Sequence, residues 1–430
     1  MLESYSTRVK GKSVGIGICN NPASPNRGFS VDGNHATALD GFFYEQQHEA
    51  KMRLGRPWSL FSLPGAFSFL SHADNGIAAG RDPLGQKPLY FGAGLGNLTA
   101  FASLKKGLDG VGVENPRPVP PGTVFSGSEK GFVPVDGLYQ LKRPVETDTT
   151  EADALRKIRK LLIEAISTGV QDNPAIAFSG GLDSTLVAAV AKKCGKEPEL
   201  VTVGLEGQPE LDYAHRTAAE LGLPITIREI SADEVLESLP DVISIVETTD
   251  PIVVGVSVPF YLACRKAKEL GNRTIVAGQM SDELFGGYAR FEEFVAKGEP
   301  EQARQLMWSS VLAASSNDFE PGDKLAVSLG LEMRCPFAYL PLVHYVLGLP
   351  LSLKIRVSRE TTTRKFILRK LALRLKLPNF VVERPKKAIQ YSSGVQKVLL
   401  RAARHRDMEL SEFLSSFAKS RVSGIHKKLD

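Results

Sequence analysis

Apolar and polar positions change rhythm once along the chain. Up to about residue 140, short apolar runs such as Ser13–Ile18 and Gly65–Leu70 alternate with clusters of Gly, Pro and Asn, the texture of short strands joined by turns. Pro144–Thr150 is polar and reads as a linker. From Glu151 the period lengthens, and Ala152–Ser167 reads as a helix. Apolar runs at Ala175–Phe178, Leu200–Leu205, Ile225–Ile230 and Arg273–Gly278 then alternate with helix-period segments such as Thr185–Lys193 and Tyr213–Leu221. Alternation of that kind predicts a parallel sheet flanked by helices. From about Glu292 the chain reads as helical to its end. No repeat or low-complexity tract interrupts it.

A length of 430 residues suits two or three domains, and 43% hydrophobic with 23% charged residues is globular and soluble in character. No apolar stretch approaches the ~20 residues needed to cross a bilayer, and Met1–Gly11 lacks the apolar core of a signal peptide. Cys19, Cys194, Cys264 and Cys335 are far apart, which argues against a zinc site or a disulfide framework and for a reducing cytoplasm. The seven histidines show no metal-ligand spacing. Charge is uneven: Lys354–Asp430 holds 20 Lys and Arg against 6 Asp and Glu, a surplus of 14, leaving −9 for residues 1–353 of a chain whose total is +5. Such a tail either faces phosphates or is the solvated side of helices. Thr363–Leu377 suits the second reading, with Phe366, Leu368, Leu371, Leu373 and Leu375 set among Arg and Lys.

Two segments carry chemistry. The run Ala175–Phe178 breaks into Ser179-Gly180-Gly181-Leu182-Asp183-Ser184 before a helix. Glycines at a strand end allow close backbone approach, and the helix start offers free N–H groups to an anion. The Walker lysine is missing, and a bland Gly-rich turn capped by Asp183 is the competing reading. The second segment runs Gly278-Gln279-Met280-Ser281-Asp282-Glu283, then Gly286-Gly287-Tyr288. It too leaves a predicted strand at its carboxyl end, so Asp282 is expected to face Asp183 across the crevice, a pair suited to Mg²⁺ on ATP phosphates. Acidic residues favoured by a helix dipole are the alternative.

The first loop resembles the pyrophosphate loop of ATP pyrophosphatases, which release pyrophosphate and transfer AMP. Both segments together, about 100 residues apart, resemble the asparagine synthetase family. Gly330-Leu-Glu332-Met-Arg334-Cys-Pro336-Phe337 and Arg384-Pro385-Lys386-Lys387 are similar to further family elements, as is Arg81-Asp82-Pro-Leu-Gly85-Gln-Lys87-Pro88-Leu-Tyr90 in the first half. The resemblance implies an α/β chain with three parts. Residues 1–143 would be a β-rich, αββα class II glutaminase-like (Ntn) domain. Residues 151–400 would be an ATP-pyrophosphatase synthetase domain of the adenine-nucleotide α-hydrolase-like class with a helical C-terminal region, and 401–430 a basic helical tail. It implies ATP and Mg²⁺ as cofactors, and a small carboxylate plus ammonia or an amine as partners. By the same resemblance Lys386, Asp183, Asp282 and Tyr288 are catalytic, and Asp183 and Asp282 hold the metal. Ser179, Gly180, Gly181, Leu182, Ser184, Val203 and Gly278 bind ATP or pyrophosphate, while Gly255, Gln279 and Glu283 line the substrate pocket.

Three departures matter. A class II glutaminase uses an N-terminal cysteine, whereas Leu2 follows Met1 here and Cys19 is internal, so glutaminase activity is expected to be absent. Gln279 stands where the family usually has glutamate, and an amide cannot take a proton. Gly255 stands about where the family has an arginine that helps hold aspartate. The leading reading is therefore an amide-forming ligase that activates a carboxylate as its acyl-adenylate and releases pyrophosphate; family resemblance implies aspartate as acceptor, and the departures at Gly255 and Gln279 leave a different carboxylate open. Intramolecular amidation in the manner of β-lactam synthetase, tRNA modification by adenylation, and a non-catalytic ATP-binding regulator are the alternatives. The glutaminase-like half and the lack of paired cysteines disfavour nucleic acid; a homodimer stays open.

Overall fold

The computed structural model describes residues 2–9, 12–19, 28–32, 35–44, 57–73, 76–94, 98–128, 131–135, 139–358, 361–385 and 388–425. The first half is antiparallel. Strands β1 (Leu2–Val9) and β2 (Lys12–Cys19) pair as a hairpin. A six-stranded sheet follows, built from β3 (Gly28–Asp32), β4 (His35–Phe43), β5 (Gly65–Ala73), β6 (Gly76–Arg81), β10 (Val124–Ser128) and β11 (Gly131–Val135), in the order β11-β10-β6-β5-β4-β3. Alternate positions of β4 and β5 send Leu39, Phe43, Phe67 and Phe69 into one core with Leu60 and Phe61, the two-residue period of a strand with one face buried. Strands β7 (Tyr90–Ala93), β8 (Thr99–Ala102) and β9 (Arg117–Pro118) form a smaller sheet.

The irregular segment after Leu141 ends at Thr150, whose hydroxyl caps the helix Glu151–Gly169. The second half is the parallel sheet the alternation predicts. Its strands are β12 (Ala175–Ala177), β13 (Glu199–Leu205), β14 (Ile225–Ile230), β15 (Thr274–Val276) and β16 (Glu332–Arg334), ordered β14-β13-β12-β15-β16. All four pairings are parallel. The chain builds outward from β12 on one side, then crosses back to place β15 on its other side. The reversal leaves a crevice beyond the carboxyl ends of β12 and β15, where open α/β sheets bind ligands.

The expectation of unbroken helix from Glu292 is corrected. β16 completes the sheet, and β17 (Ile355–Val357) and β18 (Thr362–Arg364) form a hairpin. β16 escapes an apolar-run search because two of its three residues are charged, yet Glu332 and Arg334 are buried and paired at 2.6 Å. Thr363–Leu377 is helical only over Phe366–Arg374, where Phe366, Leu368 and Leu371 are buried.

The two halves meet through buried charge. Arg81, 1% exposed, pairs with Glu320 at 2.8 Å and donates to the carbonyls of Gly85, Lys87 and Val119. Lys87, equally buried, pairs with Asp323 at 2.7 Å and lies 4.0 Å from both Asp40 and Glu332. Lys324 reaches Tyr90 and Glu247, and Glu247 accepts from the backbone of Lys105 and Lys106. Among the described residues no single helix is long and apolar enough to cross a membrane.

Candidate active site

The loop after β12 is shaped by its own hydrogen bonds. Phe178 is tied to β13 by its N–H to Val201 and by the Thr202 hydroxyl to its carbonyl. Gly180 has φ +66, and a Cβ there would sit 3.0 Å from Tyr213 Cδ1 and 3.1 Å from Ala214 Cα, so both conformation and space call for glycine. Ser184 Oγ accepts from Ser179 N–H and donates to the Gly181 carbonyl, each at 3.3 Å. Gly181 N–H donates to Ser179 Oγ. The helix Leu182–Lys193 starts at Gly181 with no side-chain cap, leaving N–H groups at its positive end for an anion. Its apolar residues Leu186, Val187, Ala188 and Val190 anchor it in the core.

The loop after β15 turns through Met280, held at φ +77, a left-handed value costly for a side chain. The turn brings Ser281 and Asp282 toward the first loop. Ser281 Oγ donates to Asp183 Oδ1 at 2.8 Å. Asp183 and Asp282, each on a loop beyond the carboxyl end of a strand, converge with a lysine between them. Lys365 Nζ is 2.5 Å from Asp183 Oδ2, 2.7 Å from Asp282 Oδ1 and 3.3 Å from Ser281 Oγ. Lys365 is 3% exposed and itself sits at φ +54. A Cβ on Gly287 would fall 1.8 Å from Asp282 Oδ1 and 2.4 Å from Lys365 Cε, so this glycine makes room for the pair. A Cβ on Gly278 would lie 3.2 Å from Asp183 Cβ.

Tyr288 donates its hydroxyl to Glu283 Oε1. Burial, then the neighbouring Asp282 carboxylate, raises the Glu283 carboxyl above its usual value, and burial with Glu283 raises the Tyr288 phenol. Gln279 is committed at both ends of its amide: Nε2 donates to the Asp318 carbonyl at 3.4 Å and Oε1 accepts from Cys335 Sγ at 3.5 Å. Val203 is half-buried in β13 opposite Arg228. Gly255 lies on the helix Pro251–Glu269, where a Cβ would meet Gln396 Oε1 at 2.9 Å and Gln390 Cβ at 3.6 Å. An arginine at 255 requires those glutamines to move. Lys386 lies outside the described residues.

Lys365 is the group the sequence reading missed. It stood in a basic run read as helix surface, and only its place between β18 and the helix Phe366–Arg374 aims it at the crevice. No local pattern signals that; the one available hint was a lysine directly before an apolar helix.

The geometry defines a class: an open parallel α/β sheet with a glycine-rich loop after its central strand and two carboxylates at the switch point. Comparison with known proteins carries this to a family. The asparagine synthase family profile matches residues 157–301 and 294–417, and the chain belongs to that family. It is 31% identical over 349 residues to Lotus japonicus asparagine synthetase [glutamine-hydrolyzing] 2, covering 77% of this chain and 58% of the plant enzyme. Arabidopsis thaliana asparagine synthetase [glutamine-hydrolyzing] 1 gives the same identity and coverage. The chain thus spans under two thirds of these plant relatives. A Methanocaldococcus jannaschii protein provisionally called asparagine synthetase 1 is 27% identical over 433 residues, covering 89% of this chain and 79% of its own length. Among solved structures, NMN synthetase from Francisella tularensis is similar at a TM-score of 0.32 and 12% identity, covering 65% of this chain and 94% of its own.

Proposed function

We propose that this chain is an ATP-dependent carbon–nitrogen ligase that activates a carboxylate as its acyl-adenylate. A carboxylate oxygen attacks the α-phosphorus of ATP and pyrophosphate leaves. Ammonia or an amine then attacks the acyl carbon, and AMP leaves as the amide forms. The convergence of Asp183, Ser281, Asp282 and Lys365 on the loop Ser179–Ser184 carries the reading. That loop, Leu182 included, presents backbone N–H groups to the departing phosphates, and Val203 on β13 is proposed by resemblance to contact the nucleotide. Asp183 and Asp282 share one ammonium, so both carboxylates face a common point, and two hard oxygen donors beside phosphates fit Mg²⁺. When bound, Mg²⁺ would neutralise phosphate charge there. Lys365 already puts a buried positive charge between the two carboxylates, so Mg²⁺ would bind them only as that ammonium withdraws, and Lys386 is proposed by resemblance to contact phosphate. Tyr288 and Glu283 form a buried acid pair at the floor of the second loop.

Aspartate is the first acceptor to test. Gly255 walled by Gln390 and Gln396, and Gln279 held by Asp318 and Cys335, favour a second reading in which the carboxylate is bulkier and carries its own amine. Free ammonia or such an amine is the proposed nucleophile, with glutamine tested beside them as a donor. The reducing cytoplasm is the proposed setting, consistent with free Cys194, Cys264 and Cys335. The test is pyrophosphate release across a panel of amino acids with ammonia or glutamine. Asp183→Asn should abolish release while leaving the melting temperature within a few degrees. ADP and phosphate as products would sink the reading.

A further inference from the structure

Away from the crevice, the linker and the helix Pro300–Ala314 enclose a cavity of about 310 Å³. Met307, Trp308, Leu347, Leu349 and Leu351 form its apolar wall. Three cations also line it, and two are already neutralised. Arg143 pairs with Glu301 and Arg304 pairs with Glu146, each at 2.7 Å. Glu146 is engaged twice, its other oxygen accepting from Leu351 N–H at 2.6 Å. The third cation is Lys354, 5% exposed, which donates to the Leu347 carbonyl at 3.3 Å. Among the described residues it has no carboxylate within ion-pairing distance. A buried ammonium without a counter-charge is costly. Burial accordingly pulls this amine down to about 7, with Glu146 opposing and Arg304 and Arg143 reinforcing. A ligand that brings one negative charge and a short hydrocarbon would meet both the lysine and the apolar wall.

We propose that this cavity is a binding site for a small organic monoanion, a carboxylate with a short apolar body, its oxygens on Lys354 and its hydrocarbon against Trp308 and Met307. The site is separate from the nucleotide loop and does not depend on the activity proposed above. It connects to it, however. The helix Pro300–Ala314 runs directly into the π-helical turn Ser315–Phe319, whose Asp318 carbonyl holds Gln279.

The chain has two tryptophans, Trp58 and Trp308, so in a Trp58→Phe background indole emission reports on the cavity. Titration with hexanoate should shift that emission saturably, whereas hexylamine and inorganic phosphate should not. Lys354→Met should weaken hexanoate binding about tenfold or more, the loss of one charge-assisted contact. A second measurement needs no substitution at the cavity. Cyanate at pH 7 should carbamoylate Lys354 in the full chain, the amine nitrogen bonding to the isocyanic acid carbon and its proton passing to the cyanate nitrogen. Peptide mass spectrometry should find that saturating hexanoate slows this reaction. No saturable emission change, undiminished binding by Lys354→Met, an equal response to phosphate, or unprotected modification would each overturn the proposal.

Discussion

Lys365 couples two loops that arrive from different strands. Its ammonium lies within 2.7 Å of a carboxylate from each. Removing it leaves Asp183 and Asp282 facing each other without a buried cation, and like charges at such range repel. Lys365→Met should therefore cut the rate of pyrophosphate formation by about 100-fold, on the order of the 3 kcal/mol that one buried charged contact supplies. Lys365→Arg should retain more of it; equal activity in all three proteins would show the lysine to be a bystander. Glu283 gives a pH signature. Its raised carboxyl keeps a proton in the folded chain at pH values where the unfolded chain has lost it, so its contribution is complete below the ordinary 4.5 and declines as pH rises through the raised value. Melting temperature followed from pH 4 to 8 should fall less steeply in Glu283→Gln than in the parent. Parallel curves would refute this.

At the scale of elements, much of the second half was legible in the sequence. β12 and β13 lie within or beside the apolar runs that predict them, because strands with both faces covered read as near-continuous apolar residues, and β14, half-buried at the sheet edge, reads from its recurring isoleucines. The loop Ser179–Ser184 was legible for a related reason: only glycine takes φ +66 against Tyr213 and Ala214. Gly180→Ala should cost roughly 1–2 kcal/mol in stability and raise the KM for ATP more than it lowers kcat, measured by urea unfolding and pyrophosphate release. An unchanged KM would mean the loop tolerates a side chain. β16 was illegible because Glu332 and Arg334 are buried as a pair, and a pattern of apolar residues cannot register a charge whose partner is two positions away. Gln279 and Cys335 were visible as residues but not as neighbours, since only the parallel pairing of β15 with β16 brings their segments together.

For the whole molecule, the segment Arg81–Tyr90 matters most as a docking element. Lys87 meets acids from both halves: Asp40 in β4, and Asp323 and Glu332 beyond the linker. Lys87→Met should destabilise the chain by about 3–5 kcal/mol, the usual penalty for stranding buried charge. Urea unfolding should show one transition moved to lower denaturant, and a shift confined to the N-terminal half would contradict the network.

That network also fixes what each half needs from the other. Glu320 and Asp323 find their cations on Arg81 and Lys87, so a fragment beginning at the linker would emerge with acids that have nothing to answer them. The first half is thus held in the chain by its charges, whatever becomes of its own chemistry, and gene fission at the linker is closed to this protein unless both pieces are made together.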